Sequence, residues 1–413
     1  MSLNALYVDF NSYFASVEQQ LRPELRGCPI GVLPVMAETT CCIAASYEAK
    51  AFGVKTGTMV RDARKLCPDI ILVGARPAIY IDFHHRLVDV VESCTPVGKI
   101  LSIDEMVCRL TGSQQSRDHA LALAAQIKQS ISKKVGSEIR CSIGIAPNTF
   151  LAKLASNMQK PDGCVVIEQH ELPDRLYSLE LRDLTGIGRR MEQRLTAKSI
   201  TTIRSLYALN RQQMRAAWGS VEGEYIYDKL RGLEPPESGH GRSSLGHSHV
   251  LPPEMRNREA ALSVLNRLLQ KACARLRSYQ LYASMIHIRV KFPRRPTWEA
   301  DGACSPTDDT LQLIHALQGL WRQYPDHTDT PYAVGISLSG LVGARGLSMD
   351  LFDYSVRQSN VRLDQTLDAL NIRFGKNAVY FGAAHNALHH APMRIAFNHI
   401  PDPTTEGDTL RPP

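Results

Sequence analysis

The sequence predicts an α+β protein built from several domains, and three features carry that expectation. Its 413 residues exceed the roughly 100–200 of a single domain. Residues 1–165 alternate strand-like and helix-like segments. A Gly-, Pro- and Ser-rich stretch, GLEPPESGHGRSSLGHSH at 232–249, separates a helical region from a second alternation. Hydrophobic residues at 44% and charged residues at 22% exclude a disordered or collagen-like chain. A formal net charge of +7 hints at an anionic partner without naming one. No apolar run approaches the about 18 residues of a membrane span, so no membrane partner is expected. The opening MSLNALYVDF lacks a basic n-region and leads straight into a strand, which predicts a cytoplasmic protein. Ten cysteines without a CxxC pair then read as free, mostly buried thiols.

Apolar runs at 5–9 (ALYVD), 29–33 (PIGVL), 98–103, 106–110 (MVCRL) and 140–146 (RCSIGIA) predict strands. Apolar residues at helical spacing predict helices over 78–93 and 116–134. Residues 166–235 read as helical, interrupted by a TGIG turn. Beyond the Gly/Pro/Ser stretch the order is a strand at 247–251, a helix at 256–279, a strand at 284–292, a helix at 309–323 and a strand at 332–341. That order suits a split-βαβ domain. A helix around 361–373 and a polar end complete the chain.

Asp9 ends the first strand, and Asp104-Glu105 sits between two others. Three carboxylates that converge stay ionised only when cations share the site, and hard oxygen ligands suit Mg²⁺ or Mn²⁺. On spacing alone, the same residues also read as a turn aspartate and a solvated hairpin tip. GxxxxGK[ST], HExxH and GxSxG are absent, which removes several common enzyme classes.

Four segments resemble the motifs of Y-family translesion DNA polymerases, in the family's order. They are VDFNSYFASVE at 8–18, ASYEAKAFGVK at 45–55, SIDE at 102–105, and SIGIA at 142–146 followed by residues 148–163, which end in QKPDG. The likeness is to the bacterial polymerase IV and polymerase V catalytic subunit group, with Asn11-Ser12 and the 363–382 region closer in flavour to the polymerase V branch. The resemblance implies a right-hand polymerase. It places the palm at 1–19 and 77–165, the fingers at 20–76 and the thumb at 166–235. A linker at 236–246, a little finger at 247–342 and a C-terminal extension at 343–413 follow. It implies template-directed, low-fidelity, non-processive synthesis past damaged bases by two-metal nucleotidyl transfer, by a monomer associated with the nucleoid.

The same resemblance implies roles for individual residues. Asp9, Asp104 and Glu105, with Phe10, would hold two Mg²⁺ ions, for which Mn²⁺ can substitute. Tyr47 and Lys50, three apart on a helix, and Lys160 would bind the dNTP triphosphate, with Lys standing at position 50 where the family commonly has Arg. Phe14 occupies the steric-gate position beneath the sugar, Phe10 and Tyr13 pack or line the sugar and triphosphate, and Thr40, Cys41 and Ile43 roof the nascent base pair.

Gly186, Gly188 and Arg189 resemble a helix-hairpin-helix turn, in which two glycines let the backbone approach a DNA phosphate; an ordinary helix–helix turn reads the same. A basic run from Arg242 to Arg295 includes Arg267, Arg275, Arg277, Arg289 and Lys291, and reads either as a solvated face or as a grip on primer-template DNA. In its strand, Ile286, Ile288, Val290 and Phe292 alternate with His287, Arg289 and Lys291, giving one apolar and one basic face. SMDLF at 348–352, with Met349, Leu351 and Phe352, resembles a sliding-clamp-binding peptide without its usual Gln; a strand continuation or an ordinary tail contact reads the same. His385, His389 and His390 lack acidic or Cys partners, so a structural role is expected. Two other readings remain at this point: a non-catalytic DNA-holding accessory protein, and a two-metal nuclease or cyclase on a similar palm.

Overall fold

The structure, a computed structural model, describes residues 2–236, 242–325, 329–344, 354–375, 377–388, 390, 400 and 401. They fall into two units, one within Met1–Glu237 and one within Ser238–Arg394. The expected clamp peptide, with Met349, Leu351 and Phe352, lies outside the described residues.

The first unit is organised around a five-stranded sheet. Its order is Val97–Ser102, Glu105–Arg109, Ala5–Phe10, Cys141–Ala146 and Cys164–Val166. ALYVDF takes the central place because it is apolar on both faces apart from Asp9, and all six of its residues are buried. It pairs antiparallel with both neighbours. Alternation sends Ala5, Tyr7 and Asp9 to one face and Leu6, Val8 and Phe10 to the other. The helix Thr149–Met158 packs on the first face, against Ala5 and Tyr7. Helices Pro77–Glu92 and Arg117–Lys134 cover the second.

The close approach of Thr149–Met158 depends on Gly144, which lies opposite Tyr7 in the sheet. A Cβ at 144 would stand 1.9 Å from the Ala152 carbonyl oxygen and 2.4 Å from the Ser156 nitrogen. The helix starts at Asn148, whose side-chain oxygen accepts from the Leu151 N–H at 2.8 Å. The same amide donates to the Lys229 and Leu233 carbonyls, each at 2.8 Å, which ties this helix to the helical segment beyond it.

Between the first strand and the helix at 77, a second small sheet forms from Ala44–Ala45, Ile30–Leu33 and Ile71–Gly74. Its core includes Leu33, Cys42, Ala49, Val60 and Ile70. Helix Tyr47–Ala51 leaves this core with Ser46 as its N-cap, accepting from Ala49 N–H at 3.3 Å. Residues 166–235 supply the helices Arg189–Thr196, Ile203–Tyr207, Arg211–Trp218 and Glu222–Leu230. Their apolar faces join the cluster around Thr149–Met158.

The second unit is a five-stranded antiparallel sheet in which Trp298–Thr307, Leu281–Lys291, Ala333–Ser339 and Ser244–Val250 follow in order and the short strand Val342–Gly343 pairs with the start of Leu281–Lys291. Helices Arg258–Ser278 and Thr310–Trp321 cover one face. The expected alternation in 285–292 is present: Ile286, Ile288 and Val290 are buried, while Arg289 and Lys291 are exposed. Two points differ from expectation. A strand at 298–307 was not anticipated, because Gly302, Pro306 and the acidic Glu299 and Asp301 give it a poor strand pattern. It forms as an edge strand, paired on one side only, where such residues are tolerated. The strand expected at 247–251 begins earlier, at Ser244, since pairing with Ala333–Ser339 outweighs the linker-like composition.

The C-terminal helix is longer than expected, spanning Tyr354–Phe374. Asp364 and Asp368 pair with Arg277 at 3.3 and 2.6 Å, and Asn360 donates to Asp309 at 2.7 Å. Tyr380 hydrogen-bonds His385 at 2.7 Å, and His389 lies outside the described residues. All ten cysteines are free.

Gly144→Ala is expected to destabilise the first unit by about 3 kcal/mol, because backbone atoms cannot swing aside as side chains do. Urea unfolding should show a lower midpoint, and an unchanged midpoint would contradict the contact with Ala152.

Candidate active site

The register that pairs the strands Ala5–Phe10 and Glu105–Arg109 puts Asp9 directly opposite Glu105. The Phe10 N–H donates to the Asp104 carbonyl at 2.9 Å, which holds the 103–104 turn against the end of the first strand. Three carboxylates from two distant segments therefore meet at one sheet edge. Asp9 is only 4% exposed. Burial first, then the charges of Glu105 and Asp9, pushes the Asp104 carboxyl above the usual range, against a hydrogen bond from Ser102 and the charge of Lys153. The Ser102 hydroxyl reaches Asp104 Oδ1 at 2.5 Å.

The charge is balanced by lysines. Lys153 Nζ lies 2.5 Å from Asp9 Oδ2 and also pairs with Glu105, while Lys160 Nζ is 2.7 Å from Asp9 Oδ1. Burial pulls the Lys153 ammonium down, but Asp9 and Glu105 more than offset it and hold it above the usual range. Tyr7 hydrogen-bonds Glu105, and its ring lies 5.0 Å from Lys153 Nζ. Among the described residues no three His, Cys, Asp or Glu side chains form a ready metal cage. Asp104 is engaged by Ser102, and a lysine stands between the other two carboxylates. The donor set nonetheless fits a hard divalent cation. It is all oxygen, it is already organised around a positive charge, and its third carboxylate is left energetically short of one.

Asn11 is buried beside these groups and acts as a clasp. Its Nδ2 donates to Ser142 Oγ at 3.1 Å, and its Oδ1 accepts from the Asp162 N–H at 2.8 Å. The turn that carries Lys160 is thereby fixed to the central strands. Ser12, in a left-handed conformation at φ 48°, starts the helix Tyr13–Leu21 and accepts from Lys50 Nζ at 2.7 Å. Tyr47 hydrogen-bonds the same serine, and Lys50 Nζ lies 4.3 Å from the Tyr47 ring centre. Burial, then the charge of Asp9, pushes the Tyr47 hydroxyl up to about 12. Loss of solvent and the nearby Lys160 charge pull the Lys50 ammonium down, with Asp9 acting the other way. Two ammonium groups that crowd each other beside a carboxylate cluster make a place for a polyanion.

Phe14 is half-buried and stacks on Tyr80, with ring centres 4.6 Å apart at 23°. The arrangement narrows three expected roles. Tyr13 does not line an open pocket: its ring is buried and its hydroxyl donates to the Tyr80 carbonyl at 2.6 Å. Thr40 is buried with its hydroxyl donating to the Val35 and Ala37 carbonyls, which leaves Cys41 and Ile43, both half-buried, as the more open members of that segment. Phe10 keeps its ring in the core, so only its main chain remains for a ligand role.

Gly186, with φ 94°, and Gly188, the N-cap of Arg189–Thr196, are exposed, and nothing would touch a Cβ at either. Ile187 between them is buried and anchors the turn, while Arg189 is exposed.

In the second unit the basic run is less free than its sequence suggests. Arg267 and Arg275 are buried, and Arg277 is spent on Asp364 and Asp368. Arg289 pairs with Glu299 at 2.6 Å and His287 with Asp301 at 2.5 Å, across the unexpected edge strand. Arg242 lies over the Tyr279 ring at 4.4 Å, and Lys291 is exposed.

Sequence reasoning missed Lys153, Tyr7 and Ser102. Lys153 had a signal: it is the one charge in TFLAKLASNM, on a helix whose neighbours pack into the core.

Comparison with known proteins gives the chain a family. Residues 8–157 match the impB/mucB/samB family and residues 242–351 its C-terminal domain. DNA polymerase IV of Moorella thermoacetica is 34% identical over 91% of this chain and 94% of its own length. DNA polymerase IV of Pelotomaculum thermopropionicum is 32% identical over 91% and 93%. Among solved structures, the Y-family DNA polymerase chimera Dbh-Dpo4(243-245)-Dbh shares the fold. Its TM-score is 0.71 at 24% identity, covering 82% of this chain and 99% of that one. DinB from Sulfolobus solfataricus gives a TM-score of 0.53 at the same identity and coverage. These relatives set the grouping with polymerase IV, away from the polymerase V flavour of Asn11-Ser12. The chain belongs to the Y-family of DNA polymerases, as a DNA-directed DNA polymerase of the polymerase IV group.

Proposed function

We propose that the protein synthesises DNA past damaged template bases, at low fidelity and without processivity, by two-metal nucleotidyl transfer from dNTPs onto a primer. The observation that carries this reading is the register of Asp9 against Glu105, with Asp104 beside them. Asp9, Asp104 and Glu105, with the Phe10 carbonyl, would hold two Mg²⁺ ions, for which Mn²⁺ substitutes. Bound there, such ions would supply activation of the primer 3′-OH and charge compensation for the α-phosphate and the leaving pyrophosphate.

The chain's own residues do the rest. Lys50, Tyr47 and Lys160 neutralise and orient the triphosphate. Phe14, held against Tyr80, closes the space that a ribose 2′-OH would need. Cys41 and Ile43 roof the nascent pair, and slim side chains there admit a distorted template base. The open turn of Gly186 and Gly188 offers backbone N–H groups to a DNA phosphate, with Arg189 beside it. Arg242, Arg289 and Lys291 add contacts to the phosphate backbone that do not read sequence. One of the similar solved structures is an insertion ternary complex of Dbh DNA polymerase, which supports primer-template DNA and an incoming nucleotide as partners. A sliding clamp at Met349, Leu351 and Phe352, a monomeric state and a cytoplasmic, nucleoid-associated location complete the reading. Among the described residues no helix is long and apolar enough to cross a membrane.

Primer extension with Mg²⁺ tests the carboxylates. Asp104→Ala combined with Glu105→Ala should lower the rate on the order of 10³-fold while a gel shift still shows DNA binding. Undiminished extension would defeat the mechanism. Lys50→Ala should raise KM for the dNTP about tenfold and change kcat less, because its ammonium serves binding more than the chemical step. Steady-state insertion kinetics at one template base measure this, and an effect confined to kcat would remove Lys50 from the triphosphate site.

A further inference from the structure

Glu18 is fully buried, and none of the nucleotidyl-transfer chemistry above uses it. Its Oε1 accepts from Arg76 Nε at 3.0 Å and from the Tyr80 hydroxyl at 2.7 Å, and its Oε2 accepts from Arg76 Nη2 at 2.5 Å and from Arg22. Arg76 immediately precedes the helix Pro77–Glu92, and Tyr80 lies one turn inside it. Arg22 follows the helix Tyr13–Leu21, which carries Phe14 and Glu18 one turn apart. A single carboxylate therefore ties the helix bearing Phe14 to the helix bearing Tyr80.

Tyr80 is held at two points besides its ring. Its hydroxyl is taken by Glu18, and its carbonyl accepts from the Tyr13 hydroxyl at 2.6 Å. The ring face so fixed is the one that stacks on Phe14 at 4.6 Å. Burial alone would raise the Glu18 pKa, but hydrogen bonds from Arg76, Tyr80 and Arg22 outweigh it and keep the carboxylate ionised. A buried ion network contributes little net stability compared with apolar packing of the same volume. What it supplies is direction. Apolar contacts let a ring rock, whereas hydrogen bonds to a fixed carboxylate set the ring's rotation and tilt.

We propose that Glu18, acting through Arg76 and Tyr80, is a positioning residue that fixes the plane of the Phe14 ring and thereby sets how strictly the enzyme rejects ribonucleotides. The proposal rests on Phe14 serving as the sugar gate.

Single-nucleotide insertion kinetics with a dNTP and the matching rNTP test it on the full chain, with Phe14→Ala, Tyr80→Phe and Glu18→Gln. Phe14→Ala should abolish most of the preference for the deoxy sugar. Tyr80→Phe keeps the ring and deletes only its hydroxyl. It should lower the dNTP-over-rNTP ratio of kcat/KM about tenfold, through faster rNTP insertion, with the dNTP value nearly unchanged. Glu18→Gln should shift the ratio the same way. If Glu18→Gln does not fold, Tyr80→Phe still decides. Loss of selectivity in Phe14→Ala with parental ratios in Tyr80→Phe and folded Glu18→Gln would overturn the positioning role and leave the gate standing. Equal losses for both sugars would mark the network as structural and likewise overturn the proposal. Full selectivity in Phe14→Ala would overturn the gate itself, and the proposal with it.

Discussion

The mutual repulsion of Asp9, Asp104 and Glu105 is the constraint to which the surrounding structure answers. Strand pairing forces the first and third of these face to face, and hydrogen bonding from the Phe10 N–H pins the turn that carries the second. Such a group of anions at a half-buried sheet edge is unfavourable unless positive charge arrives. In this structure it arrives from two directions, as Lys153 on the helix packed over the sheet and as Lys160 on the turn after that helix. The close packing of that helix, permitted by Gly144, is what brings the Lys153 ammonium within reach.

A second consequence follows beside the small sheet. Ser12 receives both Lys50 and Tyr47, so the small sheet around Ile30–Leu33 is tied to the five-stranded sheet at the point where the carboxylates gather. Cations gathered beside anions in this way have two stable outcomes: pairing with one another, or sharing a bound polyanion and its counterions. The paired state seen here, with lysines on Asp9, is the first of these.

Much of this was legible in the sequence, for identifiable reasons. Asp9 and Asp104-Glu105 stand at the ends of short apolar runs, and such ends are visible without coordinates. Their convergence was not visible from spacing, since register belongs to the pairing and not to either strand; only the likeness of whole motifs supplied it. Lys153 escaped because its partners lie 144 and 48 residues away, although a lone charge on an apolar helix was a clue. The strand Trp298–Thr307 escaped because local propensity opposes it and pairing with Leu281–Lys291 overrides that propensity. The basic run was read correctly as charge but not as free charge. Arg277 meets Asp368 from 91 residues downstream, and Arg289 meets Glu299 only through the strand that was missed.

Asn11 has a wider meaning. An amide gives and receives hydrogen bonds at once. Here the nitrogen serves Ser142 and, at 3.4 Å, the Asp9 carbonyl, while the oxygen serves the Asp162 amide. An aspartate at this place could only receive, and would bring a fourth negative charge to a crowded corner. Choosing the neutral isostere makes position 11 a mechanical joint between three chain segments. The electrical work stays with the residues around it.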